Sequence, residues 1–246
     1  MNYRHIEGRS FEDYSSGRVI LSKSGLTNFP VRLAGEIIGR CIEHLARKEG
    51  LTIYDPCCGG GYLLTIAGML YPQAFAGYIG TDIDETALEI GRDNLALLTP
   101  EGLEKRREHL EKLYNEHGRQ SHADALVSCD VFERINNSRR SISICLSKAD
   151  CLSANSPVKV DLPPDIVIAD VPYSDLTEWQ SEEKVAGNPL DILFRNLTAI
   201  CTAETVAAVI CDKSQRVSGE YSRLEKFQIG KRRVWIGKIR KDEKKE

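Results

Sequence analysis

The sequence contains no run of about 18 consecutive apolar residues, so a membrane-spanning helix is not expected. Its first residues, MNYRHIEGRSFEDYSS, are polar and lack the apolar segment of a secretion signal, which favours a cytoplasmic protein. The eight cysteines form no C-x-x-C pair and have no matching histidine cluster, which argues against a metal site. An excess of positive charge is also missing, because the net charge is −3, and this argues against indiscriminate nucleic-acid binding.

What the sequence does contain is typical of a globular protein with a substantial core: 246 residues, 41% of them hydrophobic and 28% charged. We expect one domain over residues 1–246, with an N-terminal helical extension (1–50) and a polar helical insertion at about 100–138. Several cysteines lie in apolar segments, where a reduced thiol behaves as a small hydrophobic residue. They are Cys41, Cys145, Cys151, Cys201 and Cys211.

Helical and extended patterns alternate along the chain. The segment that begins at Pro30, PVRLAGEIIGRCIEHLARKE, has apolar residues at helical spacing, and LTIYD predicts a buried strand that ends at Asp55. Further strands are predicted in AGYIGTD, SISICL, PPDIVIADVPY and TVAAVICD. The segment SRLEKFQIGKRRVWIGKIR predicts two final strands joined by a tight turn. The predicted fold class is therefore α/β: a Rossmann-like, mostly parallel seven-stranded sheet with an antiparallel last strand and helices on both faces.

Three consecutive glycines follow the first predicted strand, in YDPCCGGGYLLT. Such a loop could serve a metal, a dinucleotide or another nucleoside, and the cysteine spacing disfavours the metal. The dinucleotide pattern G-x-G-x-x-G, matched from Gly59 and Gly61, requires glycine or alanine at position 64, which is a leucine. A glycine loop before a helix lets backbone N–H groups approach a ligand closely. We therefore predict that Cys58, Gly59, Gly60 and Gly61 contact a cofactor other than a dinucleotide.

Four successive predicted strands end at or near an aspartate: Asp55, Asp82, Asp150 and Asp170. In such sheets ligands bind at the carboxyl ends of the strands, where Asp82 could accept hydrogen bonds from a ribose diol. Asp150 could receive a nucleobase amino group. This acidic rim suits a cofactor that carries a sulfonium cation, an ammonium group, a ribose and an adenine, which describes S-adenosylmethionine. The alternative is that each aspartate only caps a helix or turn.

The segment ADVPYSDLTEW carries a second motif at the end of the fourth strand. Asp170-Val171-Pro172-Tyr173 resembles the D/N/S-P-P-Y turn of methyltransferases that modify amino groups and ring nitrogens of bases, with valine in place of the first proline. The Asp170 side chain and nearby carbonyls can accept bonds from a base N–H, and Tyr173 offers a stacking face for an extruded base. We predict Asp170, Pro172 and Tyr173 as catalytic residues. The alternative is a strand-terminating proline turn with a core tyrosine.

Together these motifs resemble the class I S-adenosylmethionine-dependent methyltransferases, and more narrowly the AviRa family of avilamycin-resistance 23S rRNA methyltransferases. The resemblance is carried by FPVRLAGEI (29–37), DPCCGGGYLLT, NLALLTPEGL (94–103), DVPYSDLTEW and IGKR (229–232), and it covers nearly the whole chain. It implies methyl transfer from S-adenosylmethionine to a guanine base nitrogen of 23S rRNA, in the large ribosomal subunit. Because the family's target lies where orthosomycin antibiotics bind, it also implies a role in resistance to avilamycin-type antibiotics.

Other functions stay open from the residues themselves. Related turns serve methyltransferases that act on adenine, on a free nucleoside or on a protein glutamine. A non-catalytic RNA-binding protein that keeps the fold is a further alternative, although the intact acidic and glycine positions argue against it.

We predict that RNA contacts a surface near the cleft, and that the insertion could extend this surface. The alternative is that its basic residues are ordinary solvated charges. The basic segment KRRVWIGKIRKDEKKE near the end of the chain contributes much of it. The predicted RNA-contacting residues are Trp179, Lys213, Arg216, Lys231, Arg232 and Arg233.

Overall fold

A seven-stranded sheet forms the centre of the protein in the computed structural model, which describes residues 3–6, 10–15, 17–22, 29–153, 162–172, 179–181, 187–215 and 221–239. The strands are β1 (Leu51–Asp55), β2 (Phe75–Asp82), β3 (Ser143–Lys148), β4 (Ile166–Asp170), β5 (Val206–Asp212), β6 (Ser222–Ile229) and β7 (Arg232–Lys238). Their order across the sheet is β3-β2-β1-β4-β5-β7-β6. Strands β1 to β5 pair in parallel, whereas β7 runs antiparallel to β5 and β6. This confirms the predicted sheet with its antiparallel last strand.

The helices within the described ranges are α1 (Val31–Glu43), α2 (Tyr62–Leu70), α3 (Glu85–Ala96), α4 (Pro100–His117), α5 (Gln120–Asn137) and α6 (Pro189–Thr198). The predicted insertion consists of α4 and α5, which pack against each other as a helical hairpin. Thr99 caps the start of α4 by accepting a hydrogen bond from the Gly102 N–H at 3.1 Å, and Pro100 occupies the first turn. Gly118, with a φ of 59°, ends α4 in the left-handed conformation and allows the short connection to α5.

Alternate residues of the central strands face two separate hydrophobic cores, as expected for strands that are buried on both faces. In β4, Ile166 and Ile168 pack into the larger core with residues of α1 to α5. Val167 and Ala169 point the other way, into a smaller core with residues of α6. Helices therefore cover both faces of the sheet.

The strand at one edge corrects an expectation about cysteine burial. Cys145 is exposed, because β3 is the edge strand of the described sheet, next to β2, and Leu146 is the side chain of β3 that packs against the larger core. Cys41, Cys201 and Cys211 are buried as expected, and Cys151 is half-buried.

The N-terminal extension is less helical than expected. Its described part contains α1 and one short 3-10 turn, Glu12–Tyr14, whereas residues 17–22 follow an irregular path. Across all described helices, none combines the length and the apolar character needed to cross a membrane.

The winding of the sheet reverses between β1 and β4. The chain moves from β1 outward through β2 to β3, and then from β4 in the opposite direction to β5. Connections that diverge in this way open a crevice at the carboxyl ends of the parallel strands. Asp55, Asp82 and Asp170 are the last residues of β1, β2 and β4, and Asp150 follows β3. The sheet therefore brings the four predicted aspartates to one edge.

Candidate active site

The glycine loop joins β1 to α2 at this edge. Gly59 and Gly61 have left-handed φ angles of 50° and 68°, a conformation that costs other residues about 1–2 kcal/mol. A Cβ at Gly61 would lie 3.1 Å from Gly91 Cα, so α3 packs directly on the loop backbone. The Cys58 N–H donates to the Thr81 carbonyl at 2.9 Å, which ties the loop to β2. The loop is thus held in a shape that strongly favours glycine at positions 59 and 61.

Asp55 lines the crevice beside the loop and is buried, with 2% of its surface exposed. Its Oδ1 accepts a hydrogen bond from the Cys57 N–H at 3.0 Å. Burial raises the pKa of the Asp55 carboxyl well above its usual range, and the negative charges of Asp82 and Asp170 raise it further. A ligand cation would favour the ionised carboxyl and offset the repulsion among the three groups. The crevice is therefore suited to positive charge.

Asp82 orders the glycine loop through its carboxylate. Its Oδ2 accepts a hydrogen bond from the Gly59 N–H at 2.7 Å, and its Oδ1 accepts one from the Asp84 N–H at 3.0 Å. A carboxylate offers about four acceptor sites. These two contacts are therefore compatible with the predicted hydrogen bonds to a ribose diol.

Asp150 holds the loop that follows β3. Its Oδ1 accepts a hydrogen bond from the Leu152 N–H at 2.9 Å, and its Oδ2 accepts one from the Ser181 hydroxyl at 2.6 Å. A contact between Asp150 and an adenine amino group would have to share these oxygens.

A pair of thiols connects the two loops. The sulfur atoms of Cys57 and Cys151 lie 3.4 Å apart, although the residues are 94 positions apart in the chain. This contact and burial raise the pKa of Cys57 well above its usual range. Cys57 therefore packs as a neutral thiol against Cys151, between the glycine loop and the Asp150 loop.

A pocket of about 560 Å³, including its open mouth, lies beside the glycine loop. Part of its lining comes from predicted site residues: Asp55, Cys58, Gly59, Gly60 and Asp170. Another part comes from the N-terminal segment, through Leu21, Ser22 and Phe29, which were not predicted. Asp82, the last residue of β2, and Asp150, which follows β3, lie on the other side of β1 and are not part of the lining. The pocket is therefore the β1–β4 end of the crevice.

The predicted catalytic turn begins at the end of β4. Asp170 lines the pocket, and the following Val171 N–H donates to the Ile210 carbonyl at 3.1 Å, which extends the pairing with β5. Pro172 is half-buried. Tyr173, the predicted stacking residue, lies outside the described residues.

Gln215 fixes the same turn from the end of β5. Its Nε2 donates to the Pro172 carbonyl at 3.1 Å, and its Oε1 accepts from the Asp212 N–H at 3.1 Å. The Pro172 carbonyl is thus engaged in holding the turn. Of the two predicted catalytic residues that the structure describes, Asp170 and Pro172, Asp170 lines the pocket.

Comparison with known proteins agrees with this geometry. A family model described as rRNA methyltransferase AviRa matches residues 1–232. A curated relative from Streptomyces viridochromogenes, named 23S rRNA (guanine(2535)-N(1))-methyltransferase, is 34% identical over 235 residues, covering 94% of this chain and 93% of the relative. The solved structure of AviRa from the same organism at 1.5 Å is 33% identical, with a TM-score of 0.86 over 97% of each chain. This chain belongs to the AviRa rRNA methyltransferase family.

At the level of the fold alone, the likeness extends beyond the AviRa family. The solved Escherichia coli protein yhhF is 14% identical and has a TM-score of 0.54, covering 89% of this chain and 90% of its own. The fold, a sheet with helices on both faces, is therefore shared by a protein whose sequence is very different.

Two of the basic residues predicted to contact RNA are exposed in this AviRa family member. Lys213 and Lys231 flank the pair Asp212–Arg232, at the end of β5 and the start of β7. Because β5 ends at the carboxyl edge of the sheet, both lysines lie on the edge that carries the glycine loop. Arg216 lies outside the described residues.

The other predicted RNA contacts take part in packing. The Arg232 guanidinium lies over the Phe29 ring, 5.3 Å from its centroid, and Arg233 Nη1 donates to the Gln215 carbonyl at 3.0 Å. Trp179 is half-buried and packs against the smaller core. Arg232 and Arg233 therefore support residues beside the pocket.

Three polar residues that line the pocket or hold the segments beside it were not predicted: Asn94, Arg106 and Gln215. Asn94 is 1% exposed and donates to the Gly60 carbonyl at 2.8 Å. The one sign of Asn94 in the sequence is an asparagine beside the apolar residues of NLALL. Arg106 and Gln215 mainly contact backbone atoms, and such contacts leave no pattern in a sequence. In the part of the chain that the structure describes, no group of three or more His, Cys, Asp or Glu side chains is arranged around a common metal position.

Proposed function

We propose that this protein transfers a methyl group from S-adenosylmethionine to N1 of a guanine in 23S rRNA. The observation that carries the proposal is the position of Asp170, a carboxylate that lines the pocket next to the glycine loop. The Streptomyces viridochromogenes relative, named for guanine N1 methylation of 23S rRNA, supports the choice of target atom.

The donors and charges of the crevice fit this methyl donor. Asp55 and Asp170 line the end of the crevice that would accept the cationic sulfonium and ammonium groups, and the backbone of Gly59 and Gly60 permits close approach. Asp82, on the β2 side, would accept the ribose hydroxyls. When bound there, S-adenosylmethionine supplies an electrophilic methyl group.

Asp170 then determines which atom of the base can react. Guanine N1 carries a hydrogen, and its lone pair becomes available only when that proton is removed. We propose that the Asp170 carboxylate accepts this proton and so acts as the general base. General base catalysis is typically worth about 10²–10⁴-fold in rate. Gln215 keeps the turn in place by holding the Pro172 carbonyl. We retain Tyr173 as the stacking residue for an extruded base.

For substrate docking we propose that phosphates of 23S rRNA, within the large ribosomal subunit, lie along the edge that carries Lys213 and Lys231. Both side chains are exposed and positively charged, which suits phosphate contacts. Trp179, Arg216, Arg232 and Arg233 would complete this surface. We place the reaction in the cytoplasm, and resistance to orthosomycin antibiotics would follow from methylation at the family's target.

The test is transfer of a labelled methyl group from S-adenosylmethionine to 23S rRNA, to intact large subunits, to a free nucleoside and to protein. The proposal predicts incorporation into 23S rRNA or the large subunit. Incorporation into the nucleoside or protein alone would favour the other methyltransferase functions. A folded protein that binds RNA but releases no heat with S-adenosylmethionine in calorimetry would favour a non-catalytic RNA-binding protein.

A further inference from the structure

The helical hairpin packs along the N-terminal segment. The Tyr14 ring stacks on Phe132 of α5 with centroids 5.7 Å apart, and the Ser128 hydroxyl donates to Asp13 Oδ1 at 2.8 Å. On the other side, the Tyr62 hydroxyl of α2 donates to the Tyr14 carbonyl at 3.0 Å. The segment is therefore held between the hairpin and the helix that follows the glycine loop.

Arg106 of α4 holds the next part of this segment by its backbone. Its Nη2 donates to the Arg18 carbonyl at 2.9 Å and its Nε to the Val19 carbonyl at 3.0 Å. The guanidinium is half-buried, and this burial lowers the pKa of Arg106. Val19 and Ile20 are fully buried in the larger core. A planar fork of donors can bridge two successive carbonyls in this way, whereas a lysine ammonium cannot reproduce that geometry.

Asn94 of α3 joins the end of the segment to the glycine loop. Its Oδ1 accepts a hydrogen bond from the Leu21 N–H at 2.7 Å, and its Nδ2 donates to the Leu21 carbonyl at 3.1 Å. The same Nδ2 donates to the Gly60 carbonyl at 2.8 Å. The buried amide thus fixes both backbone groups of Leu21, which lines the pocket together with Ser22.

We propose that Arg106 and Asn94 are positioning residues, and that the helical hairpin holds residues 18–21 so that Leu21 stands as a preformed wall of the methyl-donor pocket. The inference rests on the proposed function, because it takes the ligand of this pocket to be S-adenosylmethionine. A wall that is ordered before binding spares the ligand the entropic cost of ordering it. The role of these residues is therefore in cofactor affinity and in KM for the cofactor, while kcat at saturating cofactor is retained.

The test compares Arg106→Ala with Arg107→Ala. Arg107 is the neighbouring residue on α4, and it pairs with Asp130 at 2.7 Å and Glu133 at 2.9 Å on α5. Arg107→Ala therefore removes the same charge from the same helix without touching the wall. We expect Arg106→Ala to speed deuterium exchange at the Leu21 amide and to weaken calorimetric binding of S-adenosylmethionine by about tenfold, and Arg107→Ala to change neither.

A folded Arg106→Ala protein with wild-type affinity would overturn the inference, even if its melting temperature fell, since that is the signature of a structural role alone. Equal losses in Arg107→Ala would overturn it as well. If Arg106→Ala does not fold, Arg106→Lys keeps the charge but not the two-donor fork and is judged by the same measurements. A wild-type protein that binds no S-adenosylmethionine would instead refute the proposed function, and the exchange data would still report whether Arg106 holds the wall.

Discussion

Asp170 is the residue whose substitution bears most directly on the chemistry. Asp170→Asn keeps the size and polarity of the side chain but removes its capacity to take a proton. We expect kcat to fall by about 10²–10⁴-fold, with cofactor affinity within a few-fold of wild type. Because solvent removes the N1 proton at higher pH, part of the rate should return there. Single-turnover rates across pH, together with calorimetry, measure both effects.

Asp165 provides the matched control at the opposite end of β4. Its carboxylate accepts two hydrogen bonds from Arg47 Nη2, at 2.8 and 2.7 Å, and lies away from the pocket. Asp165→Asn should therefore lower the stability of the fold, but at temperatures where the variant stays folded its methyl-transfer rate should not fall as that of Asp170→Asn does. Full activity in a folded Asp170→Asn protein would rule out a catalytic carboxylate at this position.

The raised pKa of Asp55 predicts that cofactor binding depends on pH. Its pKa is raised in the free protein, because burial and the charges of Asp82 and Asp170 disfavour ionisation. A bound cation favours the carboxylate and lowers its pKa, so binding releases a proton at pH values between the pKa of Asp55 in the complex and its raised pKa in the free protein. Affinity for S-adenosylmethionine should therefore rise with pH, by at most about tenfold per pH unit for one proton, and level off above the raised pKa. Calorimetry over a pH series measures this.

The same raised pKa has a consequence for stability. The protonated, buried form of Asp55 stabilises the fold at low pH, and this contribution is lost as pH rises from the ordinary carboxyl range through the raised value. Asp55→Asn should remove both the stability trend and the affinity trend. Identical pH profiles of wild type and Asp55→Asn would contradict the assignment of Asp55 to the cation.

At the scale of elements, the β5 end and the β6–β7 turn form the edge that we assign to RNA. Lys213→Ala combined with Lys231→Ala should reduce the slope of log affinity against log salt by about 0.7–0.9 for each phosphate contact that is lost. We choose these two lysines for substitution rather than Arg232 and Arg233, because the two arginines contact Phe29 and Gln215. RNA binding measured over a salt series gives the slope.

The helical hairpin supplies the comparison for this experiment. Lys105 and Lys112 are exposed on α4, and Lys105→Ala with Lys112→Ala removes the same charge from the predicted insertion. An unchanged slope in this variant agrees with RNA at the β5–β7 edge. A slope that changes only in the hairpin variant would place the RNA on the hairpin.

Elements with strong periodicity were predictable from the sequence. LTIYD and TVAAVICD are strands because both of their faces are buried. The charged composition of residues 100–138, with few β-branched residues, predicts the helices that form there. What the hairpin packs against was not predictable. Arg106 donates to two backbone carbonyls nearly 90 positions earlier, and a backbone carbonyl is present at every residue.

At the scale of the whole molecule, one sheet edge gathers the glycine loop, Asp82, Asp170 and the exposed lysines. The aspartates could be predicted to meet there, because they end parallel strands. The part of the pocket formed by Leu21 and Phe29 could not, because it depends on long-range packing of an irregular segment. The cysteines were also misleading, since Cys57 contacts Cys151 within the site whereas Cys145 is exposed.

The central claim, methylation of guanine N1 in 23S rRNA, is tested most directly by nucleoside mass spectrometry. 23S rRNA would be isolated from cells that produce this protein, from cells that produce Asp170→Asn and from cells that produce neither, and then digested to nucleosides. The account predicts an increase in N1-methylguanosine with the wild-type protein only. A new methyl group on the exocyclic guanine amine or on adenine, or no new methylation with a folded protein in excess, would contradict it.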